Sequence, residues 1–196
     1  DNLKRSNYSS TLGIETKMTN RAFRIIEIFD NDKKFSEQDL LNAKFDNAYP
    51  EKSRSLKYLE DILQNNFNDV ELKEAQNILS EWNLKTNLKN RSAALGVCIV
   101  SEEWLAFMNR EDAPNAIDVF EDCIQETKKS FGRVDPMWSE VNFLMRGDLK
   151  LPIQGGPDTL RAIYGRRQDD GSLKAVAGDG LVTVSYTHLT LPTNCV

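Results

Sequence analysis

The stretch that decides the fold is Trp138-Ser-Glu-Val-Asn-Phe-Leu-Met-Arg-Gly-Asp148, followed by Leu151-Pro-Ile-Gln-Gly-Gly-Pro-Asp-Thr-Leu-Arg-Ala-Ile-Tyr-Gly165. Trp138, Val141 and Met145 recur at helical spacing, and the glycine after them is placed to end a helix. The glycine-proline pair that follows predicts a corner, and the alternating residues beyond it predict a strand. This stretch therefore predicts a helical region that returns into a sheet.

Helical periodicity dominates the chain before this stretch, and a β-hairpin is predicted after it. Caps are predicted at Thr19, Ser36 and Asp69, and Pro114 is predicted as the first residue of a later helix. We expect an α+β fold, mostly α-helical, that leads into antiparallel strands. The predicted organisation is a helical region over 1–150, returning core strands over 151–183 and a non-native tail over 184–196. The hairpin turn is assigned to Asp169-Asp-Gly171 and its second strand to Leu173–Ala177.

Composition excludes two classes of partner. The formal charge of −5 and the pI near 5.1 argue against nucleic acid, because phosphate binding needs a basic surface. No apolar run approaches the roughly 18 residues of a membrane span. Cys98, Cys123 and Cys195 form neither a metal-type spacing nor a disulfide framework, so we expect Cys98 and Cys123 to be small buried hydrophobic residues.

The C-terminal tail differs in composition from the rest of the chain. No Asp, Glu, Lys or Arg follows Asp179, and the segment from Val184 to Val196 resembles translated sequencing-adapter read-through. We therefore exclude it from fold reasoning, which removes His188 and Cys195 from any site. The alternative is a native threonine-rich edge strand.

Several segments resemble one family in order and spacing. Trp138-x-Glu-Val-Asn, Arg146-Gly-Asp and the stretch ending at Gly165 are similar to the penicillin acylase family of N-terminal-nucleophile amidohydrolases. Within that family, the similarity is to the branch that includes acyl-homoserine-lactone acylases. Segments at 14–24, 35–53 and 87–95 agree in the same order, so that the resemblance covers about 14–181.

The resemblance implies an internal fragment of a catalytic β-chain with an αββα core. In that family the precursor cuts itself, and the new N-terminal serine attacks an amide carbonyl with its own α-amine as base. Backbone and Asn donors hold the oxyanion. The motifs of the serine and the oxyanion Asn are absent from this sequence. Accordingly, no catalytic role is assigned to Asn2, Asn7, Ser9, Ser10 or Ser36.

One site residue carries over by resemblance. Arg21, in Thr19-Asn-Arg-Ala, occupies the family position of an arginine that leans on the active site and helps to hold the oxyanion Asn and the substrate. A permanently charged guanidinium with several donors suits that supporting role. The alternative is an ordinary exposed helix arginine.

The resemblance also implies partners and a compartment. It implies an N-acyl amide substrate, such as a β-lactam amide or an acyl-homoserine lactone, and association with the α-chain and the remainder of the β-chain. It implies a periplasmic or secreted enzyme, and calcium in the full-length protein, although no ligand matches a position here. We expect the fragment alone to be inactive. The alternative function is a non-catalytic helical scaffold or interaction domain, and a metal enzyme is disfavoured because the only histidine is His188.

Overall fold

The computed structural model describes residues 18–30 and 34–178. Helices come first and strands last in this part of the chain, which confirms the α+β class. The elements are α1 (Asn20–Phe29), α2 (Glu37–Lys44), α3 (Arg54–Leu63), α4 (Val70–Ser80), α5 (Ala93–Asn109), α6 (Ala116–Phe131), α7 (Trp138–Val141), β1 (Asn142–Arg146), β2 (Leu149–Pro152), β3 (Ile163–Arg167) and β4 (Leu173–Gly178). The predicted tail and positions Asn2, Asn7, Ser9 and Ser10 lie outside the described residues.

Local capping sets where most helices begin. The Thr19 hydroxyl accepts a hydrogen bond from the Ala22 N–H at 3.2 Å, and the Asp69 carboxylate accepts one from the Leu72 N–H at 3.0 Å. Ser36 forms a reciprocal capping box with the residue three positions on. These three predicted caps are confirmed. The start predicted at Pro114 is wrong, because the side chain of Asn115 caps α6.

The core lies where α3, α4, α5 and α6 meet. Each fully buried aliphatic or aromatic side chain contributes about 1.5–3 kcal/mol relative to an exposed one. Helix α5 is almost continuously buried from Ala93 to Val100, because neighbouring helices cover it on several sides. The largest fully buried side chains of the core are Ile62, Leu95, Ile99, Phe120, Ile124 and Trp138.

The helix predicted from Trp138 to Gly147 is wrong after its first turn. Helix α7 ends at Val141, and the chain continues directly as β1. Backbone pairing overrides the helical spacing, since β1 pairs antiparallel with β2 across a turn in which Gly147 has φ +56°. The sheet thus begins before residue 150. The predicted division into domains at residues 150 and 151 stays a prediction.

The strands form one mixed sheet in the order β2-β1-β4-β3. The hairpin predicted around Asp169-Asp-Gly171 is confirmed, because β3 and β4 pair antiparallel on either side of it. However, β1 runs parallel to β4 through the Asn142–Leu173 and Phe143–Lys174 pairs, so the pairing is not wholly antiparallel as predicted.

A disulfide joins Cys98 of α5 to Cys123 of α6, with an S–S distance of 2.10 Å and a Cα–Cα distance of 6.0 Å. The prediction that no disulfide forms and that both residues are reduced hydrophobic side chains is therefore wrong. The pairing depends on how two helices pack, and a sequence separation of 25 residues gives no motif that indicates it.

Helix α1 lies at the surface of the described structure. Its periodicity places Ile25 and Ile26 on an apolar face, yet these side chains are 47% and 44% exposed. This apolar face is therefore exposed to solvent within the described residues. None of the described helices combines the length and apolar character needed to cross a membrane.

Candidate functional site

The glycine-proline corner, Gly155-Gly-Pro-Asp158, connects the sheet to the helices. Gly155 has φ +104°, and a Cβ there would collide with the Arg161 carbonyl, so only glycine fits. Its carbonyl accepts hydrogen bonds from Trp138 Nε1 at 3.1 Å and Asn142 Nδ2 at 3.2 Å. Its N–H donates to Thr86 Oγ1 at 3.0 Å. The prediction of a structural corner agrees with this packing.

A buried polar cluster surrounds Asp158, the residue that ends the corner. We call it the anchor cluster; it contains Asn20, Arg54, Ser55, Glu103 and Asp158. The Ser55 hydroxyl donates to Glu103 Oε2 at 2.7 Å, and Asn20 Nδ2 donates to Ser55 Oγ at 3.0 Å. The cluster therefore joins α1, α3, α5 and the corner.

Arg54 supplies the positive charge of the anchor cluster. Its Nε lies 2.5 Å from Glu103 Oε1 and its Nη2 lies 3.7 Å from Asp158 Oδ2. These two contacts are ionic, because neither nitrogen is aligned for a hydrogen bond within the described residues. The guanidinium also stacks 3.6 Å above the centre of the Phe107 ring. Arg54 thus balances two buried carboxylates.

Asp158 holds the beginning of α1. Its Oδ2 accepts a hydrogen bond from the Asn20 N–H at 2.7 Å, across 138 residues of sequence. A carboxylate is favourable there because the first turn of a helix carries unpaired N–H groups and partial positive charge. Burial raises the pKa of Asp158 above its ordinary value, while the Asn20 N–H and the Arg54 charge act in the opposite direction.

Arg21 lies in the first turn of α1, immediately after the residue that the anchor cluster holds. It is partly buried, and no hydrogen bond or ion pair joins its guanidinium to another residue within 18–30 or 34–178. One turn later, Arg24 forms a bidentate pair with Asp46 at 2.7 and 3.0 Å. Helix α1 is therefore fixed on both sides of Arg21, and the positive charge of Arg21 helps to lower the pKa of the nearby Asp158 carboxyl.

A cavity of about 460 Å³ lies between α5, α6 and the sheet. Trp104 and Tyr164 line it, with their ring centres 5.2 Å apart. Its serine and threonine hydroxyls are occupied by helix backbone, since Ser101 donates to the Val97 carbonyl and Thr127 to the Cys123 carbonyl, each at 2.6 Å. The cavity therefore offers space and aromatic surface but no activated nucleophile among the described residues.

Within 18–30 and 34–178, the structure does not bring Arg21 together with a catalytic serine. Ser36 caps α2, as its sequence context predicted. The only hydroxyl–carboxylate contact in the anchor cluster is that of Ser55 with Glu103, and Ser55 is 1% exposed, so no substrate carbonyl reaches it. The described residues contain no group of three or more His, Cys, Asp or Glu side chains suited to hold a metal ion.

Sequence reasoning missed the anchor cluster. Asp158 belongs to a stretch that the sequence predicts only as a corner, and the sequence predicts no role for Glu103. A buried carboxylate 138 residues from its partner leaves no local pattern. The one available signal was the helical spacing of α5, which places Glu103 among buried positions.

Comparison with known proteins adds one finding. A protein-family model described as penicillin amidase matches residues 1–185, which is nearly the whole chain. A search of the curated proteins found no matching sequence.

Proposed function

Because this chain belongs to the penicillin amidase family, a family of amide hydrolases, we propose that it forms part of the catalytic β-chain of an acylase. In this proposal the enzyme cleaves N-acyl amides, of the penicillin or acyl-homoserine-lactone type, through an N-terminal serine. The family match is the observation that carries the proposal.

The nucleophile of the proposed reaction lies outside this chain. Among the described residues, the serine and threonine hydroxyls beside the cavity are bonded to helix carbonyls, and the Ser55–Glu103 pair is sealed from solvent. An activated serine needs both an adjacent base and an open path to the carbonyl. These positions lack that combination, which supports a nucleophile contributed by another part of the precursor.

Arg21 is proposed to support the active site by holding the oxyanion asparagine and the bound substrate. A guanidinium that stays charged and presents several donors can hold an amide oxygen and a carbonyl together. The guanidinium of Arg21 makes no hydrogen bond or ion pair within the described residues, and its helix is fixed at Asn20 and at Arg24, which supports this role.

The proposed partners are the α-chain and the remainder of the β-chain. Exposed apolar side chains on α1, on α2 and beside them support this proposal, because apolar clusters at a surface commonly mark contact with another polypeptide. They are Ile25, Ile26, Phe35, Leu40 and Phe45. A non-catalytic interaction domain would use the same surface, and it differs from the acylase proposal in lacking turnover.

The proposed compartment is the periplasm or the exterior of a bacterial cell. The Cys98–Cys123 disulfide supports this, since disulfides persist in oxidising compartments and are rare in the cytosol. The resemblance also implies calcium in the complete enzyme, but no step of the proposed reaction is assigned to it.

The test uses the complete open reading frame that contains this sequence. We expect the purified precursor to process itself, to expose an N-terminal serine and to hydrolyse N-acyl amides. In that enzyme Arg21→Ala should lower turnover at least about tenfold while processing continues. Lys57→Ala, on the surface of α3, is the control and should leave turnover unchanged. Unchanged turnover in Arg21→Ala would reject the role of Arg21, and a precursor without processing or amide hydrolysis would reject the proposed function.

A further inference from the structure

We propose that Asp158 is a positioning residue for the reaction, because its buried carboxylate fixes the first turn of α1 and thereby sets where Arg21 lies. This inference rests on the proposed function, in which Arg21 supports the active site. It assigns the glycine-proline corner a role in the chemistry, although the corner itself contacts no substrate.

The geometry at the start of α1 is specified by contacts from distant parts of the chain. Asp158 accepts the Asn20 N–H, and Ser55 bonds the Asn20 side chain. Arg54 Nη1 donates to the Met18 carbonyl at 3.0 Å, so the residue two positions before Asn20 is held as well. Arg21 follows directly after these fixed points, and its backbone cannot shift without breaking them.

Asp158 is suited to this contact in its backbone conformation as well as in the charge of its side chain. Its φ is +58°, in the left-handed region that Asp and Asn tolerate better than other residues with a side chain. It is 2% exposed, so its carboxylate has given up nearly all of its hydration. Burying a carboxylate is unfavourable unless it is paired and hydrogen-bonded. Asn20 and Arg54 supply those partners.

Arg54 and Glu103 make the contact rigid. Arg54 reaches Asp158 and Glu103 together, and Glu103 in turn accepts the Ser55 hydroxyl that bonds Asn20. The contacts therefore close a ring through α1, α3, α5 and the corner. A change at Asp158 is expected to loosen α1 first, because Thr19 is the only other residue in the described part of the chain that caps the start of this helix.

The first experiment measures hydrogen exchange in this chain with Asp158→Ala and Asp158→Asn. Asparagine keeps an acceptor and tolerates the backbone conformation, whereas alanine removes both advantages. We expect Asp158→Ala to lower the protection of the α1 amides at least about tenfold more than that of the α6 amides, and Asp158→Asn to retain most of it. Gly132→Ala is the matched control, because it strains a left-handed position at the end of α6, far in sequence from α1. Equal loosening of α1 and α6 in Asp158→Ala would overturn the proposal.

The second experiment measures turnover in the complete enzyme with Arg21→Ala, Asp158→Ala and the double variant. If Asp158 acts through Arg21, each single change should lower kcat about tenfold and the double variant should fall no further than Arg21→Ala. A double variant whose loss is the product of the two single losses would overturn the positioning role. If Arg21→Ala lowers turnover and Asp158→Ala does not, only the positioning role fails. If Arg21→Ala has no effect, the proposed role of Arg21 fails and the positioning role fails with it.

Discussion

Reduction of the Cys98–Cys123 disulfide should destabilise this chain by an amount that follows from the loop it closes. The cross-link spans 25 residues and joins the two helices that form much of the core. Loop-closure entropy for a loop of that length corresponds to about 3.5 kcal/mol at 25 °C. With a denaturant slope near 2 kcal/mol per molar urea, the unfolding midpoint should fall by about 1.5–2 M.

Urea unfolding followed by tryptophan fluorescence measures this shift on the oxidised and the reduced chain, which have the same side chains. Cys195→Ser, outside the described residues, is the control: it prevents disulfide exchange and should leave the oxidised midpoint unchanged. Thiol titration of the native oxidised Cys195→Ser chain should find no free thiol. Equal midpoints for the oxidised and reduced chains, or two titratable thiols in this variant, would refute the reasoning.

Two further predictions concern packing and pH. Gly96→Ala should destabilise the chain by about 1–2 kcal/mol in thermal unfolding, because the added Cβ collides with the Trp82 ring and this strain exceeds the gain in helix propensity. Gly132→Ala is the control: a Cβ there meets nothing within 4 Å, so this change should cost only the strain of its φ of +71°, about 1 kcal/mol. An unchanged melting temperature in Gly96→Ala would contradict the packing of Gly96 against Trp82. Hydrogen bonds from the Ser172 hydroxyl and N–H lower the pKa of Asp170 to about 2. The small contribution of the ionised Asp170 to stability should therefore be present above pH about 4 and be lost as the pH falls through about 2. Carboxyl titration by NMR should show this low midpoint and its rise in Ser172→Ala, and an ordinary midpoint in the unmodified chain would contradict the assignment.

Local signals predicted the parts of the fold that depend on local physics. Thr19, Ser36 and Asp69 cap helices because a side-chain oxygen can reach backbone N–H groups within the same turn. The turn at Asp169-Asp-Gly171 follows in the same way from residues that favour tight turns. These features need no knowledge of the rest of the chain.

The errors arose where distant residues decide the structure. Trp138, Val141 and Met145 have helical spacing, yet β1 forms because β2 and β4 supply backbone partners. The disulfide between Cys98 and Cys123 depends on the packing of α5 against α6. Neither outcome leaves a periodic signal in its own segment.

The candidate site was predictable only in part. Resemblance to a family pointed to Arg21, whereas the anchor cluster that holds its helix combines residues from four separate segments. The contact between Asn20 and Asp158, across 138 residues, has no counterpart in spacing or propensity. Burial of the two carboxylates beside Arg54 became visible only in the folded chain.

Amide hydrolysis by this chain and by the complete precursor, assayed side by side on a panel of chromogenic N-acyl amides, tests the central proposal most directly. We expect turnover by the processed precursor and none by residues 1–196 alone, because the proposed nucleophile lies elsewhere in the precursor. Turnover by the purified chain alone, or a precursor inactive on every amide of the panel, would contradict it.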